Sequence, residues 1–221
     1  MQNHFQVLNQ CLLFQGIPTQ ELSQLLACLD AKIVSYPKKT FLFSEGDDAD
    51  FIGILLSGSV TISQLDYFGN RTILGKVVSG ELFGESFACA GEPQLPVDVT
   101  ADEDATVLLV PIVRVLHPCE TACSFHHKII FRLMQIMAQK NLELHRKIQI
   151  TARRSTREKL LAYLLSESKK QGSRSIRIPF NRQELADYLG VDRSGLSNEI
   201  SKLRKEQILI CKKNYFELLS P

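Results

Sequence analysis

Short apolar runs separated by turn-forming residues fill the stretch from residue 31 to residue 112. The runs cover residues 32–36, 40–44, 51–56, 59–65, 72–78 and 105–110. Clusters such as EGDDAD at 45–50 and DYFGN at 66–70 separate them. Many short strands at regular spacing are typical of a β-sandwich or jelly roll. We therefore predict a β-rich jelly-roll domain here, preceded by short helices in residues 5–29.

A long helix is predicted for residues 122–150, which contain neither glycine nor proline. Two sets of residues seven apart form a heptad seam: Ile130, Met137 and Leu144, and Met134, Asn141 and Ile148. Three heptads of this kind favour a partner helix, and Asn141 on the seam would fix the register. The alternative is a helix that packs on its own sheet. We expect dimerisation through this helix.

Residues 182–206 carry the pattern of a helix-turn-helix. Asn181 and Glu184 form a capping-box pattern at the start of a first helix, and Gly190 follows its end. Asp192 is positioned to cap a second helix. The apolar residues Leu196, Ile200 and Leu203 recur on one face of that helix and should point inward.

The opposite face of the second helix is polar and suits DNA. Its residues are Arg193, Ser194, Ser197, Asn198, Ser201 and Lys202. Arginine can bind guanine and asparagine can bind adenine in bidentate fashion, while serine and lysine can hold phosphates. A solvated surface helix of no special function would show similar residues. The capped helix pair nevertheless favours DNA recognition in the major groove.

Two more elements complete this region. Ser155 and Glu158 form a second capping box that opens a helix through about residue 169. Residues 208–219 predict a β-hairpin, or wing, that turns near Lys213. We expect an α+β chain in three parts: a jelly-roll sensing domain at 1–121, a dimerisation helix at 122–150 and a winged helix-turn-helix at 151–221.

The charge is distributed unevenly and supports this division. The formal net charge is +2, but residues 151–221 hold 15 Lys and Arg against 8 Asp and Glu, whereas residues 1–150 hold 11 against 16. A basic C-terminal third is typical of a nucleic-acid binder. No apolar run approaches the roughly 18 residues of a membrane span, and the first ten residues do not resemble a signal peptide. We therefore expect a cytoplasmic protein with reduced cysteines.

In this order, the three parts resemble the Crp/Fnr family of bacterial transcription regulators. The resemblance rests on residues 45–63 (EGDDADFIGILLSGSVTIS), 80–86 (GELFGES), 155–164 (STREKLLAYL) and 178–206. It implies a homodimer on a palindromic operator, contact with RNA polymerase and a signal read by the jelly roll. By position it implies base contacts by Arg193, Ser194 and Asn198 and a phosphate contact by Arg182. Many members carry arginine where this chain has Asn198.

The resemblance also indicates what the sensor does not bind. Members that bind cyclic AMP use a glutamate, matched here by Glu85, and ten residues later an Arg-Ser pair for the phosphate. Leu95 and Pro96 occupy the places of that pair. Burying an anionic phosphate without a cation is costly. We expect a small-molecule effector other than cyclic AMP or cyclic GMP.

The alternatives for the signal remain open at this stage. An apolar or aromatic effector would be contacted by residues of the barrel and of the long helix: Gly84, Glu85, Phe87, Leu95, Val97, Ile130 and Met134. These side chains could equally fill the barrel core. A thiol- or metal-based redox sensor would use Cys119 and Cys123, with His117, His126 or His127. A cupin-like enzyme is a remote alternative, because no His-x-His pair occurs. We expect no enzymatic activity, no cofactor and no metal site.

Overall fold

The computed structural model describes residues 2–117 and 125–219 of the chain. It divides into two compact units, one formed by Met1–Leu65 and Leu74–Asn141 and the other by Asp66–Ile73 and Leu142–Pro221. The first unit contains the β-rich domain and the second contains the helix-turn-helix. One strand and the longest helix each contribute residues to both units.

Eight α-helices are described, together with a 3₁₀ turn at Leu12–Phe14. They are α1 (Gln2–Gln10), α2 (Thr19–Cys28), α3 (Glu85–Ala90), α4 (Ile112–Leu116), α5 (Phe125–Thr151), α6 (Thr156–Gln171), α7 (Arg182–Leu189) and α8 (Arg193–Lys205). The predicted long helix is confirmed as α5, although residues 122–124 lie outside the described part of the chain. No helix within the described ranges is long and apolar enough to cross a membrane.

The strands of the β-rich unit are arranged in two sheets. They are β1 (Lys32–Tyr36), β2 (Phe41–Phe43), β3 (Phe51–Ser57), β4 (Ser59–Leu65), β5 (Arg71–Val78), β6 (Leu82–Phe83), β7 (Asp98–Ala101) and β8 (Ala105–Pro111). One sheet has the order β1-β8-β3-β6 and the other β2-β7-β4-β5, with antiparallel pairing. The predicted double-sheet domain and the α+β class are confirmed.

All six predicted strands are present, but sequence patterns missed three others. The two-residue β6 and the four-residue β7 are too short for a recognisable alternation. The third is β9 (Ser175–Arg177), which forms a sheet of order β10-β11-β9 with β10 (Leu209–Lys212) and β11 (Tyr215–Leu218). The predicted wing is confirmed as β10 and β11, turning at Lys213, whose φ is +56°.

Strand β3 explains how the β-rich unit is layered. Residues 51–56 are all buried, so both faces of the strand are covered. Phe51 and Leu55 belong to the core between the two sheets. Ile52 and Ile54 belong to a second core that β3 shares with α1, α2 and α5. A continuous apolar run is the pattern expected of a strand buried on both faces.

Helix α5 has one buried face and one exposed apolar face. Ile129, Leu133 and Ile136 pack into the helical core of the β-rich unit. The predicted seam lies mostly elsewhere: Ile130 and Met137 are half-buried, and Asn141 is exposed. Met134, Leu144 and Ile148 are 61%, 57% and 53% exposed. The helix therefore packs on its own domain and still presents an apolar surface.

The second unit has its own core beneath the helix pair. Buried residues of α6, α7, α8 and the wing sheet form it: Leu160, Tyr163, Leu164, Ile176, Leu185, Leu189, Leu196, Ile200, Leu203, Leu209 and Phe216. Ile73, at the tip end of β5, is fully buried in the same cluster. The tip of the β4–β5 hairpin is therefore part of the helix-turn-helix unit.

Candidate DNA-binding surface and sensor site

The two helices of the helix-turn-helix are capped as their sequence predicts. The Asn181 side chain accepts a bond from the Glu184 N–H at 3.0 Å, and the Glu184 carboxylate accepts one from the Asn181 N–H at 2.8 Å. Gly190 ends α7 in the left-handed region with φ +61°. Asp192 accepts a bond from the Gly195 N–H at 2.7 Å at the start of α8. These caps fix the turn and the start of α8.

A lysine and an arginine of α6 hold the helix pair in place. Lys159 Nζ donates to the carbonyl oxygens of Leu189 and Gly190 at 3.4 and 3.3 Å, at the C-terminus of α7. Arg157 donates to Glu199 at 3.4 Å and to Glu206 at 3.0 Å, which joins α6 to α8. Arg157 lowers the pKa of the Glu206 carboxyl. The orientation of α8 is thus set by charge-assisted bonds as well as by the core.

The polar residues predicted to contact DNA share one exposed face of α8, but only some of their side chains form bonds within the chain. Ser197 and Ser201 donate to the carbonyl oxygens one turn earlier, at 2.9 and 3.0 Å, and Ser194 donates to the Asp192 carboxylate. Lys202 lies 3.6 Å from Glu199. Among the described contacts, none engages the side chain of Arg193 or Asn198, and both residues are exposed. These two side chains are therefore exposed and form no described contact within the chain.

A cleft of about 580 Å³ lies beside the N-terminus of α7. It is lined by Pro179, Phe180, Asn181, Arg182, Glu184, Lys213 and Asn214. The predicted phosphate contact Arg182 is half-buried there: its guanidinium donates to Cys211 Sγ at 3.3 Å and lies 5.6 Å from the centre of the Phe216 ring. Lys213 at the wing turn is a further cation at this cleft. The sequence predicts the turn there, but Lys213 is not among the predicted DNA contacts.

In the β-rich unit, the loop between β6 and α3 holds a buried carboxylate. Gly84 has φ +78°, and a Cβ there would lie 3.2 Å from the Phe51 ring, so the loop requires glycine. Glu85 is 2% exposed. Its Oε1 lies 2.8 Å from Lys140 Nζ of α5, and Lys140 also donates to the Leu82 carbonyl oxygen at 2.6 Å. Sequence reasoning missed Lys140, although its spacing from Leu133 and Ile136 places it on the buried face of α5.

The interior of the barrel is filled by its own side chains. The Phe43 and Phe51 rings stack with centroids 4.1 Å apart, and the Phe83 ring lies 6.3 Å from that of Phe43. Leu95 and Val97, predicted as effector contacts, are 2% and 3% exposed.

Other predicted effector contacts are not brought together with these. Phe87 packs against the barrel core, but that cluster includes neither Ile130 nor Met134. Met134 is 61% exposed on α5. The two α5 residues therefore do not line the barrel interior in this structure.

The candidate redox and metal residues give a mixed result. Cys119 and Cys123 lie outside the described residues. His126 is buried, with Nε2 3.2 Å from the Arg114 carbonyl oxygen. Within residues 2–117 and 125–219, no three His, Cys, Asp or Glu side chains are grouped as metal ligands. Burial raises the pKa of Cys11 to about 11, which keeps its thiol protonated and unreactive.

Two family models match the chain. Residues 33–121 match the cyclic nucleotide-binding domain and residues 158–221 match the Crp-like helix-turn-helix domain. The transcriptional activatory protein AadR of Rhodopseudomonas palustris is 26% identical over 197 residues, covering 86% of this chain and 79% of AadR. The transcriptional activator protein FnrL of Cereibacter sphaeroides is 23% identical, covering 79% of this chain and 71% of FnrL.

Solved structures share the fold. The c-di-GMP responsive global regulator CLP of Xanthomonas campestris superposes with a TM-score of 0.75 at 21% identity, covering 92% of this chain and all of CLP. FixK2 of Bradyrhizobium japonicum gives a TM-score of 0.67 at 21% identity, covering 86% of this chain and 93% of FixK2. With its cyclic nucleotide-binding domain, long helix and DNA-binding helix-turn-helix, the chain belongs to the Crp/Fnr family of transcription regulators.

Proposed function

We propose that this regulator acts as a homodimer that binds a palindromic operator in the bacterial cytoplasm and contacts RNA polymerase there. The observation that carries the proposal is the exposed polar face of α8, held by a capped turn on a basic unit. In the functional division that we propose, residues 1–121 sense a signal, 122–150 dimerise and 151–221 bind DNA. The relatives are transcription factors, and we propose no catalytic role.

The proposed dimer uses the exposed apolar face of α5. Met134, Leu144 and Ile148 are each more than half exposed on this helix. Exposed apolar side chains at heptad spacing gain stability when a second helix covers them. Two copies of α8 related by a two-fold axis would then enter successive major grooves about 34 Å apart.

The proposed recognition assigns different tasks to the residues of the DNA-binding unit. Arg193 and Asn198 contact base edges, with adenine as the geometric expectation for Asn198. Ser194, Ser197, Ser201 and Lys202 contact bases or phosphates from the same face. Arg182 contacts phosphate beside the wing, and Lys213 is added to it because both line one cleft.

For the signal, we propose a small molecule other than cyclic AMP, read by the jelly roll. Leu95 and Pro96 supply no cation for a cyclic phosphate, and Leu95 is buried among apolar side chains. Lys140, the cation that contacts the Glu85 loop, is already paired with Glu85. Calorimetric titration of the full chain with cyclic AMP should show no binding; micromolar binding would contradict the proposal.

A redox signal through Cys119 and Cys123 is the second candidate for the sensor. The Cys-x₃-Cys spacing beside three histidines supports it. Metal analysis of anaerobically purified protein, compared with Cys119→Ser, tests it. Absence of metal and unchanged DNA binding after oxidation would remove this candidate.

The dimer and the operator are tested together. The full chain is incubated with random duplex DNA, the bound sequences are determined, and its mass is measured by sedimentation. We expect twice the 24.9 kDa chain mass and enrichment of an inverted repeat. The variant Met134→Asp/Ile148→Asp should be monomeric, whereas the control Leu165→Asp, on the exposed side of α6, should remain dimeric. A monomeric wild type, or enrichment of no sequence, would contradict the proposal.

A further inference from the structure

One ion pair joins the loop between β6 and α3 to helix α5. Glu85 begins α3, one residue after the end of β6, and Lys140 belongs to α5. Lys140 Nζ lies 2.8 Å from Glu85 Oε1 and donates to the Leu82 carbonyl oxygen at 2.6 Å. The ammonium group thus binds both ends of the β6–α3 loop from a single position on α5.

The Glu85 carboxylate is buried and has few other partners, so it depends on the ion pair with Lys140. The carboxylate is 2% exposed, and its Oε1 also accepts a bond from Ser86 Oγ at 3.1 Å. Its Oε2 is buried with no hydrogen-bond partner among the described residues. Because a buried carboxylate is costly without compensation, Lys140 is its main source of stabilisation.

The same pair forms a direct link between the β6–α3 loop and α5. An effector that joined the β6–α3 loop to α5 would have to contact both elements. In this chain, Lys140 already supplies these contacts from within. The Phe51 ring lies against Gly84 of the loop, and Phe51 and Phe83 are both buried in the core between the two sheets, so apolar side chains of the chain itself pack beside the loop.

We propose that the Glu85–Lys140 pair takes the place of a bound effector and holds α5 in the arrangement that binds DNA. This inference rests on the proposed function, because it concerns how that regulator is switched. The dimer then binds its operator without any added ligand. A small molecule read by the jelly roll acts by opening the pair, which releases the DNA.

The test measures operator affinity without ligand, using the DNA enriched by the wild-type chain. Glu85→Gln and Lys140→Met each remove one charge, and Glu85→Lys/Lys140→Glu restores the pair in reverse. Lys76→Met is the matched control, because it removes a different partly buried pair of the β-rich unit, between Lys76 and Asp102 at 3.1 Å. Thermal unfolding and sedimentation verify that each variant is folded and dimeric.

The proposal predicts a graded result. The wild type should bind with no ligand, each single variant should bind at least about tenfold more weakly, and the reversed pair should recover most of the affinity. The Lys76→Met control should bind like the wild type. Glu85→Gln keeps the size of the side chain. If Lys140→Met does not fold, the operator affinity of Glu85→Gln alone tests the proposal.

Two results would overturn the proposal. One is wild-type affinity in folded Glu85→Gln, and the other is an equal loss of operator affinity in the folded Lys76→Met control. If the wild type enriches no DNA at all, the proposed function fails first. The failure of the inference and that of the proposed function are therefore distinguishable.

Discussion

Strand β5 contributes side chains to two separate cores, and this placement can be tested by a matched pair of substitutions. Ile73 is fully buried in the cluster of the helix-turn-helix unit. Val77, four residues later on the same strand, is 5% exposed in the cluster between the two sheets. We predict that Ile73→Ala and Val77→Ala destabilise different units.

The sizes of the effects follow from the side chains removed. A buried Ile→Ala substitution typically costs about 2–5 kcal/mol, through lost apolar contact and a residual cavity. At about 3 kcal/mol, the amides exposed by opening of the unit should exchange roughly a hundredfold faster. Val77→Ala removes two carbon atoms, which is about 1.6 kcal/mol at about 0.8 kcal/mol for each.

Hydrogen exchange measured by mass spectrometry reports both units in one experiment. Ile73→Ala should accelerate exchange in α6, α7 and α8, and Val77→Ala should accelerate it in the strands of the β-rich unit. Far-UV circular dichroism verifies that both variants remain folded. If Ile73→Ala accelerates exchange only in the β-rich strands, the assignment of the hairpin tip to the helix-turn-helix unit is wrong.

Three further predictions concern single residues of the second unit. Arg193→Ala should weaken operator binding by about 1–3 kcal/mol and relax the preference at one base; equal weakening on all sequences would make Arg193 a phosphate contact. Asp192→Ala should lower the melting temperature at pH 7, and, because bonds from Ser194 and Gly195 lower the pKa of Asp192, the difference from wild type should shrink as the pH falls through that value. Burial lowers the pKa of Lys147 to about 8, so this lysine loses its proton at a lower pH in the folded state than in the unfolded chain. The free energy of unfolding of the wild type should therefore rise between about pH 8 and pH 9.5, and Lys147→Met should lack this rise. Parallel plots of unfolding free energy against pH for the two proteins would contradict the prediction.

Local signals predicted the DNA-binding unit well. The caps at Asn181 and Asp192 and the glycine after α7 depend on backbone geometry within a few residues, so the sequence carries them directly. The short strand β9 was missed because its three residues form a strand only through their pairing with β11. That pairing depends on the tertiary fold rather than on a local pattern.

The sensor site was harder to predict, because its contacts join residues far apart in the chain. Glu85 was identified from its loop, but its partner Lys140 lies 55 positions later. The heptad pattern on α5 also drew attention to Met134, whereas the buried face is formed by Ile129, Leu133 and Ile136. Two apolar faces on one helix cannot be assigned to a core or a partner from spacing alone.

Asn198 offers the most direct test of recognition by α8. It is exposed at the centre of the polar face, and no described residue engages its side chain. Random duplex DNA should be enriched in parallel by the wild type and by Asn198→Arg. We expect an inverted repeat for both proteins and a change at one symmetry-related base pair, from adenine towards guanine. Identical motifs for the two proteins, or a motif without two-fold symmetry, would contradict it.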